Sequence, residues 1–403
     1  MKKRLVIIGA GFAGMYAALS AARLRDVNGV SPEDIEIALV SPEPTLVIRP
    51  RLYEPHPETL TAPLGDVLKA IDVLFMQGRV ESIDTKARSV EIAGSANRRY
   101  ALSYDRLVLA TGSRLFRPAI PGLAEYGFSV DQLDDAISLD RHLQGLVERP
   151  ASKARDTVVV AGGGFTGIEA ATGIPARLGA ILGGDAEIRV VIVERADAIA
   201  PDMGPGPRRV ISDALGELGI ETRLGIGVAA LDNAGVTLSN GERIDSATVI
   251  WAAGMRAAPL TAQIQAERDN YGRLLVDREL RVPGVPAVFA TGDAAKAASD
   301  NLGNYALMSC QHATRLGAFA GHNAVAELLG VATRPYHQET YVTCLDLGRA
   351  GAVFTRGWDR KVDLVGEDAK KLKKEINTVW IYPPRAERSA ALASADPEHV
   401  TDV

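Results

Sequence analysis

"MKKRLVIIGAGFAGMYAALSAARLR" (residues 1–25) admits three readings, and the choice among them decides the fold. Lys2, Lys3 and Arg4 stand ahead of an apolar run from Leu5 to Ala22, the layout of a secretory signal. The run also approaches the length of a membrane span. Gly9, Gly11 and Gly14, however, spell G-x-G-x-x-G between a β-branched run and a small-residue run. With "RLVII" a strand and "FAGMYAALSAARL" a helix, that spacing makes the phosphate turn of a dinucleotide-binding unit.

The rest of the chain decides for the turn, because it repeats it. Residues 157–167 read "TVVVAGGGFTG" against "RLVIIGAGFAG" at 4–14, with Gly162, Gly164 and Gly167 in the matching places. A second apolar run follows each copy, "IEIALV" at 35–40 and "EIRVVIV" at 187–193. Ser41 stands 32 positions after Gly9, and Glu194 stands 32 after Gly162. The first glycine permits a tight turn, and the second lets backbone approach a pyrophosphate. The third lets helix and strand pack closely, with the helix N-terminus facing the phosphate charge. A signal peptide has no use for these glycines and does not recur in mid-chain. The expectation is a nucleotide turn in a cytoplasmic protein.

Bulk properties agree with an ordinary globular protein of two or three domains, at about 100–200 residues each. Of 403 residues, 47% are hydrophobic and 24% charged. A net charge of -5 argues against nucleic acid as a partner. The two cysteines, Cys310 and Cys344, have neither C-x-x-C nor metal-ligand spacing, so no disulfide framework and no metal is expected. Two more stretches, "YDRLVLATGSR" (104–114) and "SATVIWAAGMR" (246–256), run a buried strand into A-x-G and a basic residue. "VPAVFATGDAA" (285–295) ends a strand on T-G-D.

That order of motifs resembles the two-dinucleotide-binding flavoproteins of the pyridine nucleotide-disulfide oxidoreductase superfamily, over residues 1 to about 330. The resemblance implies an α/β fold with two Rossmann-like domains, the second inserted in the first. FAD would occupy 1–115 with 256–330, and NAD(P)H would occupy 116–255. A small α+β domain would cover 331–385, and 386–403 would be a disordered tail. Residues implied at FAD are Gly9, Gly11, Gly14, Ser41, Arg49, Val80, Ala110, Thr111, Gly112, Gly292 and Asp293. Those implied at the nicotinamide dinucleotide are Gly162, Gly164, Gly167, Glu194 and Gly254. Ser41 replaces the acidic residue that usually grips the adenosine ribose, with Glu43 two positions on. Glu194 favours NADH over NADPH, since a carboxylate accepts ribose hydroxyls and repels a 2′-phosphate; Arg195 works the other way.

The two cysteines do not form the adjacent pair that a redox-disulfide reductase needs. "GGGFTGIEAA" and the C-terminal stretch most resemble type II NADH dehydrogenases, which are NADH:quinone oxidoreductases. A glutamate at the position of Glu169 there lies beside nicotinamide and flavin; Thr166-x-x-Glu169 reads equally as a capping box. The quinone motif A-Q-x-A-x-Q is met by "CQHATR" (310–315), where Gln311 and Ala313 fit and Cys310 and Arg315 depart. Glu169 and Gln311 are therefore the catalytic candidates, in a reaction that passes hydride from NADH to FAD and electrons to a quinone-like acceptor. A protein electron acceptor such as an oxygenase system, or a slow redox-sensing role, are the rivals.

Several residues keep two readings. His56 and His312 are candidate proton donors or ordinary structural histidines. Arg49 and Arg51 brace FAD phosphates or a substrate entrance, or lie on the surface. Cys310 lies near the flavin or in the core. In "EDAKKLKKEINTVWIYPP", Lys370, Lys371, Lys373 and Lys374 with Leu372, Ile376, Trp380 and Tyr382 make either a weak peripheral membrane contact or a packed helix with a solvated lysine face. A C-terminal domain of this kind also suits a homodimer.

Overall fold

The computed structural model describes residues 2–94, 98–184 and 186–398. The opening run forms the strand Lys3–Ile8, the middle of a five-stranded parallel sheet. Its neighbours are Ile35–Ser41 and then Leu74–Gln77 on one side, Arg106–Leu109 and then Val288–Ala290 on the other. The second copy builds the same arrangement. Thr157–Ala161 lies in the middle, flanked by Arg189–Glu194 and Glu221–Leu224, and by Thr248–Trp251 and Gly127–Phe128. Val158, Val159 and Val160, like Leu5, Val6 and Ile7, are fully buried, because helices or small sheets cover both faces. That is why these strands read as unbroken apolar runs rather than alternating ones.

The chain passes between the two sheets twice, and the passages pair with each other. Ser113–Leu115 runs antiparallel to Met255–Ala257, with Arg114 opposite Arg256.

Close approach explains the glycines that end each motif. Gly9 has φ +107°, and a Cβ on Gly14 would lie 1.8 Å from the Gly9 carbonyl oxygen. A Cβ on Gly167 would lie 1.9 Å from the Gly162 oxygen. Helix Phe12–Val27 also meets helix Cys310–Leu329 through glycine, since a Cβ on Gly317 or Gly321 would come to 2.2 or 2.0 Å from the oxygens of Ala13 or Ala17.

Beyond 331 the strands Val342–Asp346, Ala352–Arg356 and Lys361–Val365 form an antiparallel sheet. Leu345, Leu347 and Val353 join the core of the second Rossmann-like unit, while Cys344 and Phe354 pack with Ala369 of the helix Gly366–Glu375. That helix continues into a π-helical turn, Ile376–Trp380.

The expected disordered tail is instead ordered as far as residue 398. Arg388–Ala393 is a helix whose Ala391 and Leu392 are buried with Ala395 in the first unit's core. Arg388 bridges Asp26 and Asp72 at 2.6 Å each, and Asp396 pairs with Arg23 at 2.6 Å. Small, polar composition suggested disorder, but the small residues recur at helical spacing and dock on a surface supplied by distant sequence. Residues 399–403 lie outside the described residues.

Candidate active site

Both glycine turns open onto one cavity of about 1490 Å3. Gly11 and Gly164 are the N-caps of helices Phe12–Val27 and Phe165–Leu182, and neither helix has a side-chain cap. The first-turn amides therefore need another partner. A Cβ on Gly11 or Gly164 would meet no atom within 4 Å, and both residues line the cavity. Each turn is thus a concave cradle of the kind that receives a pyrophosphate. The helix start also overturns the capping-box alternative for Thr166 and Glu169: the cap position belongs to Gly164, and Glu169 is a buried interior residue.

Near the first turn, Asp293, its side chain 11% exposed, accepts from Ser113 Oγ at 2.6 Å. The Arg49 guanidinium lies 3.7 Å from it. Burial raises the Asp293 pKa, with Arg49 and the Ser113 bond pulling the other way. Arg49 lines the cavity but is anchored by Asp131, 2.6 Å from Oδ1. Ser41, Glu43, Val80, Ala110, Thr111 and Gly112 complete this end of the wall. The Thr111 hydroxyl is buried without a hydrogen-bond partner.

The opposite end centres on Glu169. Lys373 Nζ lies 2.7 Å from Glu169 Oε1, and the Asp346 amide donates to the same oxygen at 3.1 Å. Burial pushes the Glu169 carboxyl up to about 7 against the pull of the Lys373 ammonium. Burial lowers Lys373, but Glu169 more than offsets it, so the lysine is held above its usual value. Lys373 is thus neither on a solvated face nor available to a membrane surface; Lys370 is likewise engaged, with Asp346. Gln311 lies in the same wall, its Nε2 buried and without a partner. Arg315 lines the wall too, its Nε donating to the His337 carbonyl at 2.9 Å. Cys310 and Cys344 both reach this cavity, and burial raises both thiols, Cys344 to about 12.

Other candidates lie elsewhere. Gly14, Gly162, Gly167, Gly254 and Gly292 are outside the wall, and the first three serve close packing of turn and helix. Glu194 is also outside it, with its carboxylate accepting from the amides of Gly163 at 2.7 Å and Ala196 at 2.8 Å. His56 is exposed, away from the cavity. His312 is fully buried behind the wall, Nδ1 on Ser309 Oγ, and burial with Arg273 and Arg360 nearby lowers it to about 3. Arg51 is spent on Glu54 and Tyr382. Sequence reading missed Ser113, Asp131 and Asn377 at the cavity and misplaced Lys373. The one available signal was helical spacing, which puts Lys373, Ile376, Asn377 and Trp380 on one stripe.

Two parallel nucleotide-type units around a shared cleft define a dinucleotide-dependent oxidoreductase. The family model for pyridine nucleotide-disulphide oxidoreductases matches residues 3–317, and the chain belongs to that family. An NADH dehydrogenase-like protein of Mycobacterium tuberculosis is 47% identical over 397 residues, covering 98% of each chain. The demethylphylloquinone reductase of Synechocystis is 30% identical, covering 88% of this chain and 87% of its own. The structure of NDH2 from Plasmodium falciparum in complex with NADH superposes with TM-score 0.79 at 16% identity, over 98% of this chain and 97% of that one. The chain is accordingly an oxidoreductase of the NADH dehydrogenase-like kind.

Proposed function

We propose that this enzyme binds FAD at the first glycine turn and NADH at the second, and transfers electrons from NADH to a quinone-like acceptor without a redox disulfide. The observation that carries the reading is the single cavity joining both turns to Glu169, Lys373 and Gln311. The FAD unit comprises 1–115 with 256–330, the NADH unit 116–255, and the sheet-and-helix domain from 331 closes the cavity. Bound there, FAD supplies the two-electron relay between nicotinamide and acceptor.

The residues of the chain bind, orient and handle protons. The open amides at Gly11 and Gly164 receive the two pyrophosphates. Ser113 donates to Asp293, whose remaining acceptor sites suit cofactor hydroxyls. Gln311 Nε2 donates to an acceptor carbonyl. Reduction of a quinone to a quinol takes up two electrons and two protons; hydride from NADH accounts for both electrons and one proton, and solvent for the other. Glu169 Oε1 already takes two donors, so Oε2 is the atom that holds a proton, at a pKa near 7 that suits proton delivery.

A demethylphylloquinone reductase among the relatives supports a quinone acceptor. Among the described residues, no helix is long and apolar enough to cross a membrane. We place the enzyme in the cytoplasm, with peripheral contact at most.

An anaerobic titration with NADH, followed by a water-soluble quinone in the same cuvette, tests the reading. Bleaching of the yellow protein and recovery of its colour are expected. Bleaching without recovery transfers the acceptor role to a protein partner. An unbleached flavin overturns the hydride assignment.

A further inference from the structure

Asn377 is 5% exposed, lines the cavity, and its buried Oδ1 has no hydrogen-bond partner within the protein. The amide cannot simply be turned round. Its Nδ2 donates to Glu54 Oε1 at 3.3 Å, and an ionised carboxylate only accepts, so the oxygen must face away from Glu54. Glu54 is itself clamped by Arg51, whose Nε and Nη2 donate at 2.9 and 2.6 Å, while Nη1 donates to Tyr382 at 3.0 Å. Arg51 and Glu54 stand behind the wall, outside the cavity. They hold Nδ2 and so fix the side of the amide on which the oxygen lies, away from Glu54.

The backbone presents that oxygen in an uncommon way. Asn377 sits in the π-helical turn Ile376–Trp380, a geometry that is rare and concentrates at functional sites. Ile376 and Trp380 flank it in the same wall, an apolar and aromatic frame for a flat ring. A buried oxygen left without a donor is destabilising unless a ligand brings the donor.

A quinone carries only carbonyl acceptors, which suit the unpaired Nε2 of Gln311. Its two-electron product carries a hydroxyl at each former carbonyl: two electrons and one proton arrive as hydride from NADH, and the second proton arrives from solvent. We propose that Asn377 Oδ1 is the hydrogen-bond acceptor for a ring hydroxyl of the reduced acceptor, so that the site holds an aromatic alcohol in preference to a ring lacking O–H. This rests on the quinone reading above and goes beyond it, assigning to Asn377 selectivity between the two redox forms. By linkage, whatever factor favours the reduced form in binding favours reduction at the site by the same factor, and slows release of the product.

The test uses the oxidised holoenzyme and two redox-inert probes, 1-naphthol and 1-methoxynaphthalene, which differ by one O–H. Calorimetric dissociation constants are expected to favour naphthol by about tenfold, the scale of one buried hydrogen bond. Asn377→Leu is expected to bring the ratio to near one, and Asn377→Asp, which keeps an acceptor, to preserve a preference even if the leucine variant fails to fold. Glu54→Leu, which frees the amide to turn, is expected to lower the ratio with Asn377 still present. A leucine variant with normal FAD content and an unchanged ratio overturns the assignment, while quinone reduction by the parent enzyme then still supports the quinone reading. A ratio abolished in Asn377→Leu, in an enzyme that reduces no quinone, overturns the quinone reading and leaves Asn377 as the acceptor for a different hydroxylated aromatic.

Discussion

Lys373 Nζ and Glu169 Oε1 lie 2.7 Å apart with both side chains buried, tying the helix behind the second glycine turn to the helix Gly366–Glu375. A buried ion pair is strongly destabilised when one member is removed alone, because the other charge is stranded. Above about pH 8, where Glu169 is ionised, Lys373→Met is expected to cost about 3–5 kcal/mol of stability, and Glu169→Gln with Lys373→Met together much less. Denaturant melts of the two variants beside the parent give the comparison, and equal losses for single and double changes would refute it.

The same pair sets a pH dependence. Glu169 titrates near 7 when folded and near 4.5 otherwise, so the native state holds a proton in that window that the unfolded chain has lost. Its contribution to stability therefore declines as pH rises from about 4.5 to about 7. In the proposed role of proton donor it is competent below about 7, and the acceptor half-reaction is expected to slow about tenfold per unit above that. Stopped-flow rates from pH 5 to 9 should show this slope, and Glu169→Gln should lose it.

The two kinds of motif glycine should fail in different ways. Gly14→Ala drives a Cβ to 1.8 Å from the Gly9 oxygen, so the helix must leave the turn. Gly11→Ala meets nothing within 4 Å in the protein and fills only the cradle. Gly14→Ala is expected to lower the melting temperature of the cofactor-free protein, whereas Gly11→Ala should leave it unchanged and weaken FAD binding. Melting curves with and without added FAD separate the two.

Removing residues 388–403 uncovers Ala391, Leu392 and Ala395 and leaves Asp26, Asp72 and Arg23 without these partners. A drop in melting temperature of several degrees is expected, on the scale of a few kcal/mol for buried apolar side chains. Unchanged melting would show that the tail contributes nothing to the fold.

Local grammar made most of the fold legible. A glycine turn is dictated by backbone sterics within a few residues, so two matched copies sufficed to give two parallel sheets and the open glycine cradles at their helix starts. Gly11, Gly164 and the A-x-G and T-G-D strands were read from that constraint alone. Ser41 and Glu194 followed from their equal spacing to those turns, whereas Asp293, Glu169 and Gln311 were singled out by the resemblance of their motifs to the flavoprotein family, and all but Glu194 line the cavity. What spacing could not carry was the meeting of distant segments. Lys373 reads as one surface lysine among four, and only the packing of the C-terminal sheet onto the second unit buries it against Glu169. Cys310 and Cys344 look unrelated along the chain, yet both reach one cavity. His56 and His312 looked alike, and tertiary burial alone sends one to solvent and the other behind the wall. Asn377 carried no motif at all; its oxygen matters because Glu54, on a loop from the other end of the chain, takes its N–H. Backbone sterics act locally and are written in order, whereas desolvation and charge pairing depend on which surfaces meet, and that is decided only when the chain has folded.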